Sequence, residues 1–483
     1  MELTPARLDQ LDDRVAVPRY DRDALARSIV HIGVGGFHRA HLATYVDELA
    51  AAGNQDWSIV GGGVLEQDRA IAEALLAQDC LYTLVTRSEE GARAEVIGSI
   101  VDFVHAHPDL APLVDRIADP HTRIVSLTVT EGGYPVDDAT GGFDPTSSNG
   151  GPNSAFAAIV HGLRRRHDEG HGPVTVLSCD NVIGNGGVAR TATLGVAGLF
   201  EPEIVDWIRD NVAFPNSMVD RITPQTTDGD RAWLAEQYGV EDRWPVMTEP
   251  FRQWVVEDEF AAGRPPFEEL DIIITDDVEP YELFKLRLLN AGHSCLAYLA
   301  RLLEIEKVDE VMAEPRFAEY LESLLDEEAG PMVPEAPGID LEDYKRSLVE
   351  RFSNPAIGDQ IERLCLDGSP KFPKFLLPTV RKQLAAGGPI RLATLALAGW
   401  CEYLRGRAES GAPIDPAPDP RLDEAQGYAR ASEDDPAAFL GFQAVFGEDL
   451  PADERFLSTF REAVNGIRAD GVRQTMDTWI PAR

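Results

Sequence analysis

Lysine is almost missing from this chain: six of its 44 basic residues are lysine, and only Lys285 falls in the first 300 positions. Positive charge as a whole is scarce, since 82 acidic residues leave a net charge of −38. That balance excludes DNA, RNA and anionic membrane surfaces as partners, because neutralising phosphates requires clustered Lys and Arg. A solvated acidic surface that keeps the chain in solution is the plain reading. Cysteine is sparse too. Cys80, Cys179, Cys295, Cys365 and Cys401 are odd in number and contain no CxxC, which predicts reduced thiols in a cytosolic protein. The longest apolar run, around Ile390 to Cys401, is too short to span a bilayer. Met1 to Arg27 mixes charges of both signs and lacks an apolar core, so no signal peptide is expected.

What is present is a chain of 483 residues, long enough for two or three domains. Ser28 to Ile32 reads as a short buried strand entering a glycine turn, followed by a helical pattern from about His38 to Ala51. Further strand patterns lie at Trp57 to Val60, Leu81 to Thr86, Ile124 to Val129, Val174 to Leu177 and Ile272 to Thr275. Helical periods at Asp68 to Ala77 and Ser154 to Arg165 fall between them. Strands alternating with helices predict an α/β domain whose mainly parallel sheet carries helices on both faces. Glu131 to Asn153, rich in Gly, Pro, Ser, Asn and Asp, predicts a lid or binding loop. Beyond Asp276 helical patterns dominate, including Tyr281 to Ile305, Val308 to Glu327 and Ile390 to Arg405. The boundary is therefore expected near residue 276, giving domains at 1–276 and 277–483.

The chemistry concentrates in a few places. Gly33-Val34-Gly35-Gly36-Phe37-His38 follows a strand and opens a helix, where backbone N–H groups and the helix dipole meet a dinucleotide pyrophosphate. His38 stands where the third glycine of GxGxxG is usual. Glu66 and Asp68, after the second strand, are the candidates for a ribose 2′-hydroxyl, and an acid there favours NAD over NADP. Ser178-Cys179-Asp180-Asn181 closes another strand, so Asn181 emerges where α/β clefts form, either to bind a hydroxyl or as a turn and cap residue. Lys285, among Phe284, Leu288 and Leu289, is expected to be buried, with its pKa drawn toward neutrality and its amine fit for general-base work. On a regular helix Asn290 and His293 are neighbours, but Lys285 and His293 stand about 80° apart and ~12 Å along the axis. A kink near Asn290, or convergence on a bound substrate, must close that gap. Gly292 would allow a ligand close to the backbone. Lys371 to Phe375, with Arg363 upstream, form a second basic and aromatic cluster.

Taken together, Gly33 to His41 (GVGGFHRAH), Thr128 to Tyr134 (TVTEGGY), Ser178 to Asn181 (SCDN), Phe214 to Pro224 (FPNSMVDRITP), Lys285 to His293 and Lys371 to Thr379 (KFPKFLLPT) carry a resemblance. The chain resembles the mannitol 2-dehydrogenase family, the polyol-specific long-chain dehydrogenases, which also include fructuronate and tagaturonate reductases. The resemblance spans nearly the whole chain. It implies a Rossmann-type doubly wound domain followed by a mostly α-helical one, and a metal-independent, NAD-linked oxidation. It further implies Lys285 as catalytic base, Asn290 and His293 as ligands that polarise the reacting oxygen, and Asn181, Asp220, Arg363 and Lys371 around the polyol. Gly33, Gly35, Gly36, Phe37, Glu66 and Asp68 would hold the cofactor. A monomer acting on a small polyol or ketose is the expectation.

Three competing readings remain. A hexuronate reductase of the same family would need an added cation for the substrate carboxylate, which the −38 charge disfavours. An NAD-dependent glycosidase would need a metal held by Cys and His, with Cys179 the one candidate. That reading would leave Lys285, Asn290 and His293 unexplained, and a non-catalytic dinucleotide sensor would bind NADH without turnover.

Overall fold

The computed structural model describes residues 1–137 and 140–480. The chain divides into two compact units, Met1–Glu279 and Pro280–Arg483. In the first, β1 (Arg27–Ile32), β2 (Ser58–Gly63), β3 (Ile100–His105), β4 (Ile124–Leu127) and β5 (Thr175–Ser178) form one sheet in the order β3-β2-β1-β4-β5. Every pairing in it is parallel. Alternate residues of one strand enter different cores. Ile29 and Ile124 pack with Leu42, Tyr45 and Val46 of α2 (Leu42–Ala51) and Leu75 of α3 (Asp68–Leu76). Val30, Ile32, Val125 and Leu127 pack with Leu113 and Ile117 of α4 (Ala111–Ala118), Phe156 and Ile159 of α5 (Ala155–Glu169) and Val196 of α6 (Asn185–Phe200). A parallel sheet covered on both faces needs continuous apolar strands, which is why the central strands are legible as runs of Ile and Val.

Two elements depart from expectation. The segment expected as a strand at Leu81 to Thr86 is strand Tyr82–Ser88, but it belongs to a separate mixed sheet, antiparallel to Gly91–Ile97 and parallel to Val246–Thr248. The real third strand of the parallel sheet is β3, which carries Asp102 and lies at the edge. An edge strand with one solvated side lacks the unbroken apolar run that betrays a central one. A further sheet joins β6 (Ser217–Asp220), β7 (Gln253–Glu257) and β8 (Ile272–Thr275), with β7 antiparallel to β6 and parallel to β8.

The second unit is helical. The stretch read as one helix from Tyr281 to Ile305 is α7 (Glu279–Lys285), a π-helical turn at Leu286–Asn290, and α8 (Ala291–Leu302). The stretch Val308 to Glu327 is also broken: Pro315 opens α9 (Pro315–Ser323), and a second π turn follows at Leu324–Ala329. Helices α10 (Leu341–Phe352), α11 (Gly368–Phe375), α12 (Arg391–Leu404) and α13 (Glu454–Trp479) follow in the same unit, with other helices between them. All of α8 except Arg301 is buried, so it is apolar all round, as a central helix must be. It packs on α12, where Gly399 allows the approach: a Cβ there would lie 2.7 Å from Leu299 Cδ2. Among the described residues no helix is long and apolar enough to cross a membrane.

The two π turns touch each other, and the second also touches α12. Its Glu328 carboxylate accepts the N–H groups of Leu392 and Ala393, at 2.8 and 2.9 Å, in the first turn of α12. These are donors that no intrahelical carbonyl can serve. Burial lifts the Glu328 carboxyl to about 7 against the pull of those two donors. Replacing Glu328 with Ala strands both N–H groups and should cost about 2–5 kcal/mol of unfolding free energy. Urea unfolding measures this, and unchanged stability would show that the N–H groups find other acceptors.

Candidate active site

The sheet order reverses between β1 and β4, and that switch point is where open α/β sheets bind ligands. Gly33 lies there at φ +94°, and a Cβ on it would stand 2.2 Å from the Thr128 carbonyl oxygen. Only glycine fits, for conformation and for space. Gly35 is the N-cap of α1 (Gly36–Ala40) and offers no side chain. A Cβ on it would meet nothing nearer than the Gly33 oxygen at 3.9 Å, and one on Gly36 only Thr223 at 3.5 Å. Such a bare cradle at the start of a helix suits a pyrophosphate. Phe37 is half-buried and stacks on His41 at 4.9 Å. The helix expected from His38 to Ala51 is in fact two, because His41 (φ −121°, ψ −95°) breaks the path between α1 and α2.

Side chains that the sequence reading passed over hold this loop. His31 Nδ1 lies 2.8 Å from Ser126 Oγ, and its Nε2 lies 2.9 Å from Thr128 Oγ1. Thr128 in turn donates its hydroxyl hydrogen to the Gly33 carbonyl at 2.7 Å. A carbonyl only accepts, so Thr128 must accept from His31, which fixes the proton of His31 on Nε2. Burial holds His31 at about 3 and pushes His38, stacked on it at 3.4 Å, well below the usual imidazole value. Arg39 donates to the Gly35 and Trp244 carbonyls. Arg221 donates to the Ala40 carbonyl at the end of α1 and to that of Glu249. The charged Arg221 guanidinium on the last carbonyl of the helix suits its dipole.

At the exit of β5, Asn181 is exposed while Asp180 is buried. Asp180 accepts from the N–H groups of Val129 and Thr130 at 3.0 and 2.8 Å and from the Tyr134 hydroxyl at 2.6 Å. Burial pushes its carboxyl up to about 6, even though all three donors favour the anion. Asp180 thus holds Thr130, whose φ of +66° with ψ of 166° is a strained conformation for a threonine, of the kind that gathers at binding sites. The long loop from Glu131 to Asn153 is pinned by Tyr134 and by Phe143, whose ring fills the space above Gly195 of α6; Asp138 and Ala139 lie outside the described residues. Asp220 is buried at the end of β6, immediately before Arg221. Ser217 of that strand donates to the Ser178 carbonyl, and Asn185 joins the carbonyls of Asp180 and Ser217. After β2, Asp68 turns inward and accepts from the Leu65 N–H at 2.9 Å, whereas Glu66 stays exposed beside Arg69.

In the second unit Lys285, Glu282 and His293 are all buried, and Asn290 is half-buried. A π turn lies between the lysine and the histidine. The Ala291 N–H bonds the Leu286 carbonyl, five residues back rather than four. On an α-helix Lys285 and Asn290, five apart, would face about 140° from each other; a π turn sets residues five apart above one another. Single π turns of this kind are frequent at functional sites. His293 is stacked on Phe352 at 3.9 Å. Asp359, held low by the Arg363 guanidinium against the effect of burial, takes that guanidinium in a two-pronged pair at 2.8 and 2.5 Å. Arg363 is half-exposed beyond it, and Lys371 is half-buried on α11. Gly292 has a different task from the one expected: a Cβ there would meet Leu321 at 3.1 Å and Phe352 at 3.5 Å, so its bareness serves helix packing. The five-residue spacing of Lys285 and Asn290 was the one sequence signal that could have revealed the π turn.

Residues 27–269 match the Rossmann domain of mannitol dehydrogenase, and residues 277–468 match the mannitol dehydrogenase C-terminal domain. The chain belongs to the mannitol dehydrogenase family. It is 44% identical to mannitol 2-dehydrogenase of Phaeosphaeria nodorum, over 99% of this chain and 85% of that one. It is likewise 44% identical to mannitol 2-dehydrogenase of Cereibacter sphaeroides, over 97% and 99%. Among solved structures it superposes on Pseudomonas fluorescens mannitol 2-dehydrogenase, a ternary complex with NAD and D-mannitol, with a TM-score of 0.90, 42% identity and 99% of each chain covered. A substrate-free D-sorbitol dehydrogenase matches with a TM-score of 0.90, 36% identity and full coverage of both chains.

Two outcomes test the glycine loop. Gly33→Ala should force β1 and β4 apart and weaken dinucleotide affinity by at least about tenfold, or about 1.4 kcal/mol, in a fluorescence titration with NADH; near-normal affinity would show that the loop is not the cradle. His38→Phe keeps the ring stack and removes the titration. A depressed folded pKa means wild-type stability is fully present above about 6.5 and is lost as pH falls, by up to about 1.4 kcal/mol per unit for this one imidazole. The stability difference between His38→Phe and wild type should therefore shift in favour of the variant by about 2 kcal/mol between pH 7 and pH 5. A pH-independent difference in thermal unfolding would mean that His38 is not held neutral.

Proposed function

We propose that this chain is an NAD-dependent polyol dehydrogenase that interconverts a sugar alcohol and its 2-ketose, with D-mannitol and D-fructose as the principal pair. The observation that carries the reading is the π turn, which brings the buried Lys285 onto one stripe with Asn290, in a family whose relatives bear the name mannitol 2-dehydrogenase. The bare cradle of Gly33, Gly35 and Gly36 supports a dinucleotide at the head of α1, with Glu66 on the adenosine ribose. Bound there, NAD supplies the hydride acceptor.

The chain's own residues supply the proton chemistry. Neutral Lys285 takes the hydroxyl proton as the C–H electron pair leaves, and the ammonium so formed returns that proton to the ketose oxygen in the reverse direction. The Asn290 amide and the His293 ring stabilise the negative charge gathering on that oxygen, an effect worth about 3–4 kcal/mol per well-placed donor. Glu282, one turn before Lys285, passes protons between the lysine and solvent. Asn181, Asp220, Arg363 and Lys371 read the remaining hydroxyls. No divalent ion is required, because the charge on the oxygen is managed by these donors.

The likeness to a D-sorbitol dehydrogenase favours one second reading, sorbitol in place of mannitol. Oxidation of either alcohol at C2 gives fructose, so fructose reduction cannot separate them; oxidation of each polyol does. NADH oxidation should be fastest with fructose and weak with fructuronate, and NAD reduction fastest with mannitol. Lys285→Ala should lower turnover by about 10²- to 10⁴-fold at neutral pH while leaving NADH affinity nearly unchanged. Near-normal turnover in that variant would refute the assignment.

A further inference from the structure

The carboxylate of Glu66 is not alone at the edge of the nucleotide site. Strands β2 and β3 end side by side, with Gly63 paired to His105, so the segments that follow them emerge together. Glu66 comes from the first and His107 from the second, while Arg69 lies in the first turn of α3. Arg69 grips Glu66 with two donors, Nε at 3.0 Å and an Nη at 3.1 Å, and His107 Nδ1 approaches the same carboxylate at 3.0 Å. A carboxylate only accepts, so His107 donates to it. His105 fastens the arrangement by bonding the Leu65 carbonyl at 2.9 Å.

The other acids nearby do not share these donors. Asp68 is turned to the Leu65 N–H, and Glu73 stands one turn further along α3, acting on Arg69 only through its field. In a chain of net charge −38, two nitrogen bases therefore converge on one point with a single carboxylate between them. A planar guanidinium and an imidazole N–H at that spacing are ligands for a phosphate monoester as much as for a carboxylate. The point they share lies where the ribose 2′ position of a dinucleotide falls in this fold class.

We propose that Arg69 and His107 form a ready-made receptor for a ribose 2′-phosphate, and that Glu66 occupies it as a built-in plug. Resting on the reading of Glu66 as the ribose acid, the proposal goes beyond it: the exclusion of NADP is due to one removable side chain, not to an acidic pocket. The Arg69 guanidinium already neutralises much of the carboxylate's field, so Glu66 discriminates chiefly by filling the receptor.

The test is direct binding of NADPH and NADH, followed by fluorescence, alongside ketose reduction with each. Glu66→Ala should raise NADPH affinity and kcat/KM by about tenfold or more, the worth of one new charge-assisted hydrogen bond. Adding Arg69→Ala or His107→Ala to it should each take back most of that gain while leaving NADH binding little changed. If Glu66→Ala binds NADH but still refuses NADPH, or accepts NADPH equally well without Arg69 and His107, the receptor does not exist although the nucleotide site stands. If the wild type binds neither reduced cofactor, the nucleotide site itself is wrongly placed and the proposal falls with it.

Discussion

The contact on which the nucleotide half depends is that of Gly33 with the backbone of β4. There is no room for a single methyl group between Gly33 and the Thr128 carbonyl, and the chain leaves β1 with a positive φ that only glycine adopts freely. That approach lets Thr128 bridge His31 to the Gly33 carbonyl, and it sets the direction in which α1 begins. Once α1 is aimed, buried Arg221 holds its far end by donating to the Ala40 carbonyl, while buried Arg39 donates back to the Gly35 carbonyl at its start. A short helix of five residues has little stability of its own. It persists because it is clamped at both ends by buried guanidinium groups that also tie it to Trp244 and Glu249.

The helical unit rests on a different constraint, one extra residue in a helical turn. The π turn at Leu286–Asn290 costs regular hydrogen bonding, and the surrounding packing bears that cost. Helix α8, buried except at Arg301, follows it directly, and a second π turn stands against it, tied to α12 through Glu328. The irregular turn thus falls between Lys285 and Ala291, inside the buried part of the unit. The same logic applies to Thr130, whose conformation is sustained by the Asp180 carboxylate.

Much of this was legible beforehand, and the parts that were not share a cause. The central strands, the glycine turn and the lysine in its apolar run all announce themselves through local pattern, because burial on both faces or a special φ restricts which residues can stand there. Strand β3 escaped notice because an edge strand is solvated and carries Asp102. The break at His41 and the second π turn leave no mark in a periodic apolar run, whereas the spacing of Lys285 and Asn290 hints at a kink where the first one lies.

Sequence alone determined the class of architecture, the nucleotide loop and the lysine, since each follows from interactions between residues close together in the chain. Tertiary structure alone decided that Asp180 holds Thr130, that His31 carries its proton on Nε2, and that Arg69 and His107 meet at Glu66. Three of the four pairings join residues between 41 and 97 positions apart, brought together by strand order, and the fourth spans one turn of helix. A hydrogen bond between distant segments leaves no periodic trace. Only the packing of the sheet says which donor finds which acceptor.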